Sequence, residues 1–349
     1  MWRLSAIGIG AAKDGRHDPL MGRRAFISSL VLGTFAVPRL THAQPARKVY
    51  RIGVFTLYST ADAIGPQPRN TRINALLRGL GELGYVYGEH FVTEVRGAEG
   101  RPERYSSLAT ELVRLQVDVI VAPGPTLAAL KQVTSTIPIV MGAANDPVGD
   151  ALVQSLARPG GNITGLSLQN PELAGKRLEL LKEVVPSPAP VAVLWSGYSS
   201  LSWRETQAAA RERGWKLLSL EIRDASEIEQ AFKAATRARA AALLVFASGP
   251  LVSHRPRIAE LAARNRLPAM YELRLFVDDG GLMSYSADLV EMYRRAATYV
   301  DRILKGAKPA DLPIEQASKF ELVINLKAAK AVGLTFPQAI LLRADEVLR

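Results

Sequence analysis

Apolar positions along this chain alternate between two periods. Tyr50 to Phe55 predicts a strand, and Ile73, Leu76, Leu77, Leu80 and Leu83 then recur at helical spacing. Phe91 to Val95 predicts a second strand, and Tyr105, Leu108, Leu112 and Leu115 mark another helix. Val117 to Val121 is apolar enough to be buried on both faces, as parallel strands are. Pro123-Gly124-Pro125 then turns into a helix through Val133, followed by a strand from Ile137 to Met141.

The second half repeats this grammar. Val191–Trp195, Leu217–Ile222, Ala242–Phe246 and Pro268–Tyr271 read as strands, with helices over 202–213, 226–239 and through Arg266 between them. The repeat is one of architecture, not of residue identity. Alternating strands and helices imply right-handed crossovers and parallel sheets covered on both faces. The expected fold class is therefore α/β, with two doubly wound parallel-sheet lobes joined by a hinge. In open α/β sheets ligands sit outside the carboxyl ends of the strands. Two lobes facing each other there enclose a cleft that closes by hinge motion.

The turns at those strand ends are the candidate chemistry. Thr56-Leu57-Tyr58-Ser59, Gly124-Pro125-Thr126 and Asn145-Asp146-Pro147 belong to the first half; Ser196-Gly197-Tyr198 and Ser248-Gly249-Pro250 to the second. Each opens a helix and presents free backbone N–H groups, which attract anions. Every such turn also needs a cap, so the ligand reading applies to the set rather than to any one. Tyr58, Tyr198, Tyr271 and Phe276 add flat rings in or near these turns. The expected ligand carries a carboxylate beside an apolar or aromatic body. Asp146 is expected to cap its helix. If it pointed into the cleft it would pair with an ammonium and make the ligand an amino acid.

Length and composition narrow the classes. At 349 residues the chain exceeds one compact core and suits two units. It has no cysteine, which excludes disulfides, a thiol nucleophile, cysteine-bound metal and a lipidated cysteine anchor. The net charge is +11, but basic residues alternate with acids and form no long run, so no nucleic-acid partner is expected. The match of Gly79 to Gly84 to GxGxxG falls at a helix end rather than between strand and helix, so it reads as a helix C-terminus and turn. No nucleophile elbow and no P-loop lysine motif is present. His90 and His254 lie outside any metal-ligand spacing. An enzyme is not expected, and neither a cofactor nor a metal is implied.

Residues 21–43 read as an export leader. Arg23 and Arg24 precede an apolar stretch from Ala25 to Val37, shorter than the roughly 20 residues of a spanning helix. Thr41-His42-Ala43 has the shape of a signal-peptidase site, leaving Gln44 as the new N-terminus. The arginine pair fits a twin-arginine route and an ordinary Sec route alike. Residues 1–20 suit neither, and a misassigned start codon ahead of Met21 accounts for them. The expected location is the periplasm.

Several stretches carry a resemblance. They include RGLGELGYVYGEH, AEGRPERYSSLATELVRLQVDVIVAPG, IPIVMGAANDPVGDALVQSLARPGGNITGLS and ELAGKRLELLKEVVP. Later come RIAELAARNRLPAMYELRLFVDDGGLMSYS, YRRAATYVDRILKGAKPADLPIEQASKFELVINLKAAKAVGL and LLRADEV. From about Arg51 to Arg349 the chain resembles ABC transporter substrate-binding proteins of the tryptophan-type group, with a type I periplasmic-binding fold. The resemblance implies three crossings between lobes, near 163–168, 280–286 and 308–316. Lobe one is then 49–165 plus 283–309, and lobe two 166–282 plus 310–349. Projected contacts fall on Tyr58, Gly124, Thr126, Asn145, Thr164 and Tyr271. The implied partners are a small-molecule ligand and the permease and ATPase subunits of an importer, the permease contacted directly by a monomer. Family members often carry Asn-Pro after the strand ending at Trp195, where this chain has Ser196-Gly197-Tyr198-Ser199. The same fold also serves ligand-sensing receptors, which is the alternative function.

Overall fold

The computed structural model describes residues 48–168 and 172–349. The leader expected over 1–43 lies outside the described residues. Thirteen strands occur among the described residues: β1 (Tyr50–Thr56), β2 (Phe91–Gly97), β3 (Val119–Pro123), β4 (Ile139–Ala144), β5 (Ile163–Ser167), β6 (Val191–Ser196), β7 (Leu217–Ile222), β8 (Ala242–Val245), β9 (Ala269–Tyr271), β10 (Met283–Ala287), β11 (Glu315–Gln316), β12 (Phe320–Asn325) and β13 (Glu346–Leu348). They form two sheets. The first has the order β11-β5-β4-β3-β1-β2, and the second β13-β12-β10-β9-β8-β6-β7.

Both sheets are doubly wound, with an apolar core on each face. Ile52, Val54 and Val121 pack to one side of the first sheet and Ile120, Ala122 and Met141 to the other. In the second sheet Val193 and Leu244 face one core, Leu194 and Val245 the other. β3 and β6 are buried at every residue. Such strands gain from β-branched and aliphatic side chains on both faces.

The helix Thr71–Glu82 shows how the local sequence serves this packing. Asn70 Oδ1 caps it, accepting from the N–H groups of Arg72 and Ile73 at 3.2 Å each. Ile73, Leu76, Leu77 and Leu80 are buried at the expected spacing. Gly79 lies against the helix Leu289–Leu304: a Cβ there would stand 2.5 Å from the Arg294 carbonyl. Gly84, at φ +88°, ends the segment in the left-handed region. Two of the three glycines of that nucleotide-like match, Gly79 and Gly84, are thus a packing contact and a helix stop.

All ladder pairs are parallel except β10 with β12. The exception has a topological cause. The chain leaves the second sheet at the end of β10, and the helix Leu289–Leu304 packs on Thr71–Glu82 of the first. It adds β11 beside β5 and returns as β12 from the end at which it left, so β12 runs against β10.

Sheet membership moves the crossovers later than expected. They fall between Ser167 and Glu172, between Ala287 and Leu289, and between Gln316 and Phe320. Residues 283–287, expected in lobe one, are a strand of the second sheet. Residues 315–316, expected in lobe two, pair with the first. The Asp278 to Gly281 segment is a turn inside the second sheet, with Gly280 at φ +98°, and not a crossing. Among the described residues no helix is long and apolar enough to cross a membrane.

Candidate functional site

A cavity of about 130 Å³ lies where loops of the two sheets meet. Asn145, Asp146, Gly149 and Asp150, which follow β4, form one wall. The other wall comes from the helices Glu172–Val184 and Ser200–Glu212 and from the residues after β9: Arg177, Ser202, Arg204, Glu205 and Glu272.

The second wall is organised around a buried ion pair. Arg177 Nη1 lies 3.1 Å from Glu272 Oε1, with the two side chains 6% and 11% exposed. Arg177 Nε donates to the Tyr285 carbonyl at 2.9 Å. Glu272 Oε1 also accepts from Ser202 Oγ at 2.9 Å, and Oε2 from the Ala247 N–H at 2.6 Å. These bonds matter because an unpaired buried charge is expensive. Burial pulls the Arg177 pKa down, and Glu272 opposes that. Glu205 lines the same cavity half-buried. Its pKa is raised by burial, then by the nearby charges of Glu272 and Asp146, against the pull of Arg177 and Arg204.

Asn145 and Asp146 follow β4 and line the cavity. Asn145 Nδ2 reaches the Ala247 carbonyl in a long hydrogen bond of 3.4 Å, linking the first sheet to the second. Asp146 Oδ1 accepts from the Gly149 N–H at 2.8 Å, so it caps the turn and also lines the cavity. Thr56 and Tyr58 border a smaller recess with Asn70, Arg72 and Tyr293. Thr56 Oγ1 accepts from the Tyr58 N–H at 3.2 Å. The Tyr58 ring is flanked by Arg72 at 5.3 Å and by Arg255 at 5.5 Å, the latter reaching over from the second sheet's side. Arg255 is itself held by Asp279, Nε to Oδ2 2.5 Å. The Tyr58 ring is therefore not a free stacking platform.

Three expected ligand contacts are sealed instead. Thr126 is fully buried and donates to the Pro123 carbonyl at 2.9 Å, closing its own turn. Gly124 and Pro125 belong to that turn and lie outside the lining of the larger cavity. Thr164, also fully buried, donates to the Leu312 carbonyl at 2.7 Å and ties β5 to the segment before β11. Tyr271 is fully buried in the core and stacks on Phe276 at 4.9 Å; burial drives its pKa upward. Strand alternation explains the miss, since Glu272, one residue on, turns to the cavity. Ser248 is buried at the start of the helix Gly249–Ser253, its hydroxyl without a partner and outside the cavity lining. Tyr198 sits in the turn Gly197–Ser199, and its side chain lies outside the described residues.

Arg177 was legible in a way the strand-end reading did not use. It falls on the buried face of its helix, four residues from both Leu173 and Leu181. A charge on an apolar face announces a buried partner. Ser202 and Glu205 share a face at i and i+3, which becomes meaningful only once Glu272 is opposite.

A family model described as ABC transporter substrate binding protein matches residues 65–348. The chain belongs to that family. It is 26% identical over 262 residues to a tyrosine-binding protein of Clostridioides difficile, covering 74% of this chain and 75% of the relative. The structure of an ABC domain from Streptococcus pneumonia in complex with L-Trp superposes with a TM-score of 0.77 at 27% identity, covering 86% of this chain and all of that one. A conserved domain protein of Vibrio cholerae gives 0.76 at 28%, with the same coverage. The two-sheet fold of this substrate-binding family member matches theirs.

Proposed function

We propose that this protein is the exported, periplasmic binding component of an ABC importer and holds an amino acid in the cleft between its two lobes. The observation that carries the ligand class is the charged cavity: Asp146 and Glu205 face it beside the Arg177–Glu272 pair. An ammonium group suits such acids, and the tyrosine- and tryptophan-binding relatives support the same class. The mechanism is hinge closure. Asn145 to Ala247 and Tyr58 to Arg255 are contacts between the two sides that opening would break. At about 130 Å³ the cavity is smaller than the roughly 300–1,000 Å³ of ordinary ligand pockets, so a large aromatic ligand requires the lobes to part further. The closed protein is then delivered to the permease, with the ATPase driving uptake. Binding, not catalysis, is the proposed activity, and the substrate-binding family supports it.

A thermal-shift screen of the proteinogenic amino acids tests this. A ligand at 100 times its Kd adds about 2.7 kcal/mol of stability, a readily measured shift. Stabilisation by sugars or polyols, with none by any amino acid, sinks the reading.

A further inference from the structure

Four carboxylates and two guanidinium groups line the cavity: Asp146, Asp150, Glu205 and Glu272 against Arg177 and Arg204. Two of the acids are bonded within the protein. Glu272 accepts from Arg177, Ser202 and Ala247. Asp146 accepts from the Gly149 N–H. Asp150 is unpaired among the described residues, with its pKa raised by burial and by Asp146, but as a residue it stands exposed at the rim. Glu205 is different. It is half-buried on the helix Ser200–Glu212 and has neither a hydrogen-bond nor an ion-pair partner among the described residues.

Partly burying a carboxylate with nothing to meet it is unfavourable. The charged groups around it deepen the imbalance. Glu272 after β9 and Asp146 after β4 repel its charge; Arg177 on the helix Glu172–Val184 and Arg204 on its own helix attract it. Arg177 is already engaged by Glu272 and Tyr285, while Arg204 is exposed. The remaining source of compensation is what fills the cavity. We propose that Glu205 receives the ammonium group of the ligand, so that the cavity selects an amino acid over the same molecule without its amino group. This rests on the amino-acid reading above and assigns its selectivity to one side chain.

Calorimetry with L-tryptophan and L-tyrosine, beside indolepropionate and hydroxyphenylpropionate, tests the assignment. The wild-type protein is expected to bind whichever amino acid it accepts about tenfold or more tightly than the deaminated analogue, as for a hydrogen bond between charged groups. Glu205→Gln is expected to abolish that preference by weakening the amino acid alone, and Glu205→Asp to keep it. Wild-type affinity for the amino acid falls as pH drops through the raised titration range of Glu205, and Glu205→Gln flattens that fall. The melting temperature of each free variant shows that it is folded. Equal binding of amino acid and analogue by the wild type, or an unchanged amino-acid affinity in Glu205→Gln, overturns the assignment and leaves the binding function standing. No binding by any amino acid overturns both.

Discussion

On the first sheet, Thr126 and Thr164 donate their hydroxyls to neighbouring carbonyls of their own layer. On the second, Arg177, Ser202 and Glu272 come from two helices and a strand end and bond one another beside the cavity. Both arrangements satisfy buried polar groups. The first locks turns and strands in place, and removing any one bond disturbs that place alone. The second places full charges at the edge of an open space, where a ligand shares their field. The first sheet thus supplies a rigid rim and the second the chemistry. Asn145, Asp146 and Asp150 are the first sheet's charged and polar contribution to the cavity.

The sharpest test removes the charge at the centre of the second wall. Arg177→Met leaves Glu272 buried without its cation, an arrangement that costs about 3–5 kcal/mol. Urea denaturation is expected to show that loss, and the double change Arg177→Met with Glu272→Gln to recover most of it. A loss below about 1 kcal/mol would mean that the pair does not organise this wall.

Thr164→Val probes the framework of the first sheet. It keeps the shape and removes the donor to the Leu312 carbonyl. About 1–2 kcal/mol of stability is expected to disappear with no change in ligand affinity. A tenfold loss of affinity would return Thr164 to the site and erase the contrast between the sheets.

The sequence carried the elements well and the site unevenly, for a physical reason. Periodicity reports which face of an element is buried, and it placed β1, β3, β6 and β8 and the helices between them within a few residues. It does not report which sheet a strand joins. Met283 to Ala287 reads the same in either, and its pairing with β9 and β12 decides the matter. Strand-end reasoning singles out Asn145 and Asp146, which follow β4 and line the cavity. The resemblance projects a contact on Tyr271, whereas alternation assigns that ring to the core and Glu272 to the cavity. Glu205 lies on a helix flank, and only tertiary contact gives it meaning.

A smaller effect separates the bridge from both walls. Tyr58→Leu removes the ring between Arg72 and Arg255. A partly exposed cation–π contact contributes about 0.5–1 kcal/mol. Ligand release by stopped flow is expected to quicken about twofold to fivefold, with the unfolding midpoint nearly unchanged. Unchanged release would place the ring in the folded framework rather than in closure.

The smallest expected effect is the most diagnostic of the second wall's character. Glu205 has its folded pKa raised, chiefly by burial and then by Glu272 and Asp146. A raised carboxylate pKa means that the folded state holds the proton more tightly than the unfolded chain. Stability is therefore greatest below the unfolded pKa and is lost as pH rises through the folded one. Glu205→Gln removes that loss, because a neutral amide does not ionise. The free variant is expected to be more stable than the wild type near neutral pH, by no more than about 1 kcal/mol once solvent screening of a half-buried group is counted. The difference should shrink to nothing as acid protonates the wild-type carboxylate. Melting temperatures across the acid-to-neutral range, without ligand, measure it. A variant less stable at neutral pH would show that Glu205 already has a stabilising partner in the free protein, and the contrast drawn between the two walls would fail at this residue.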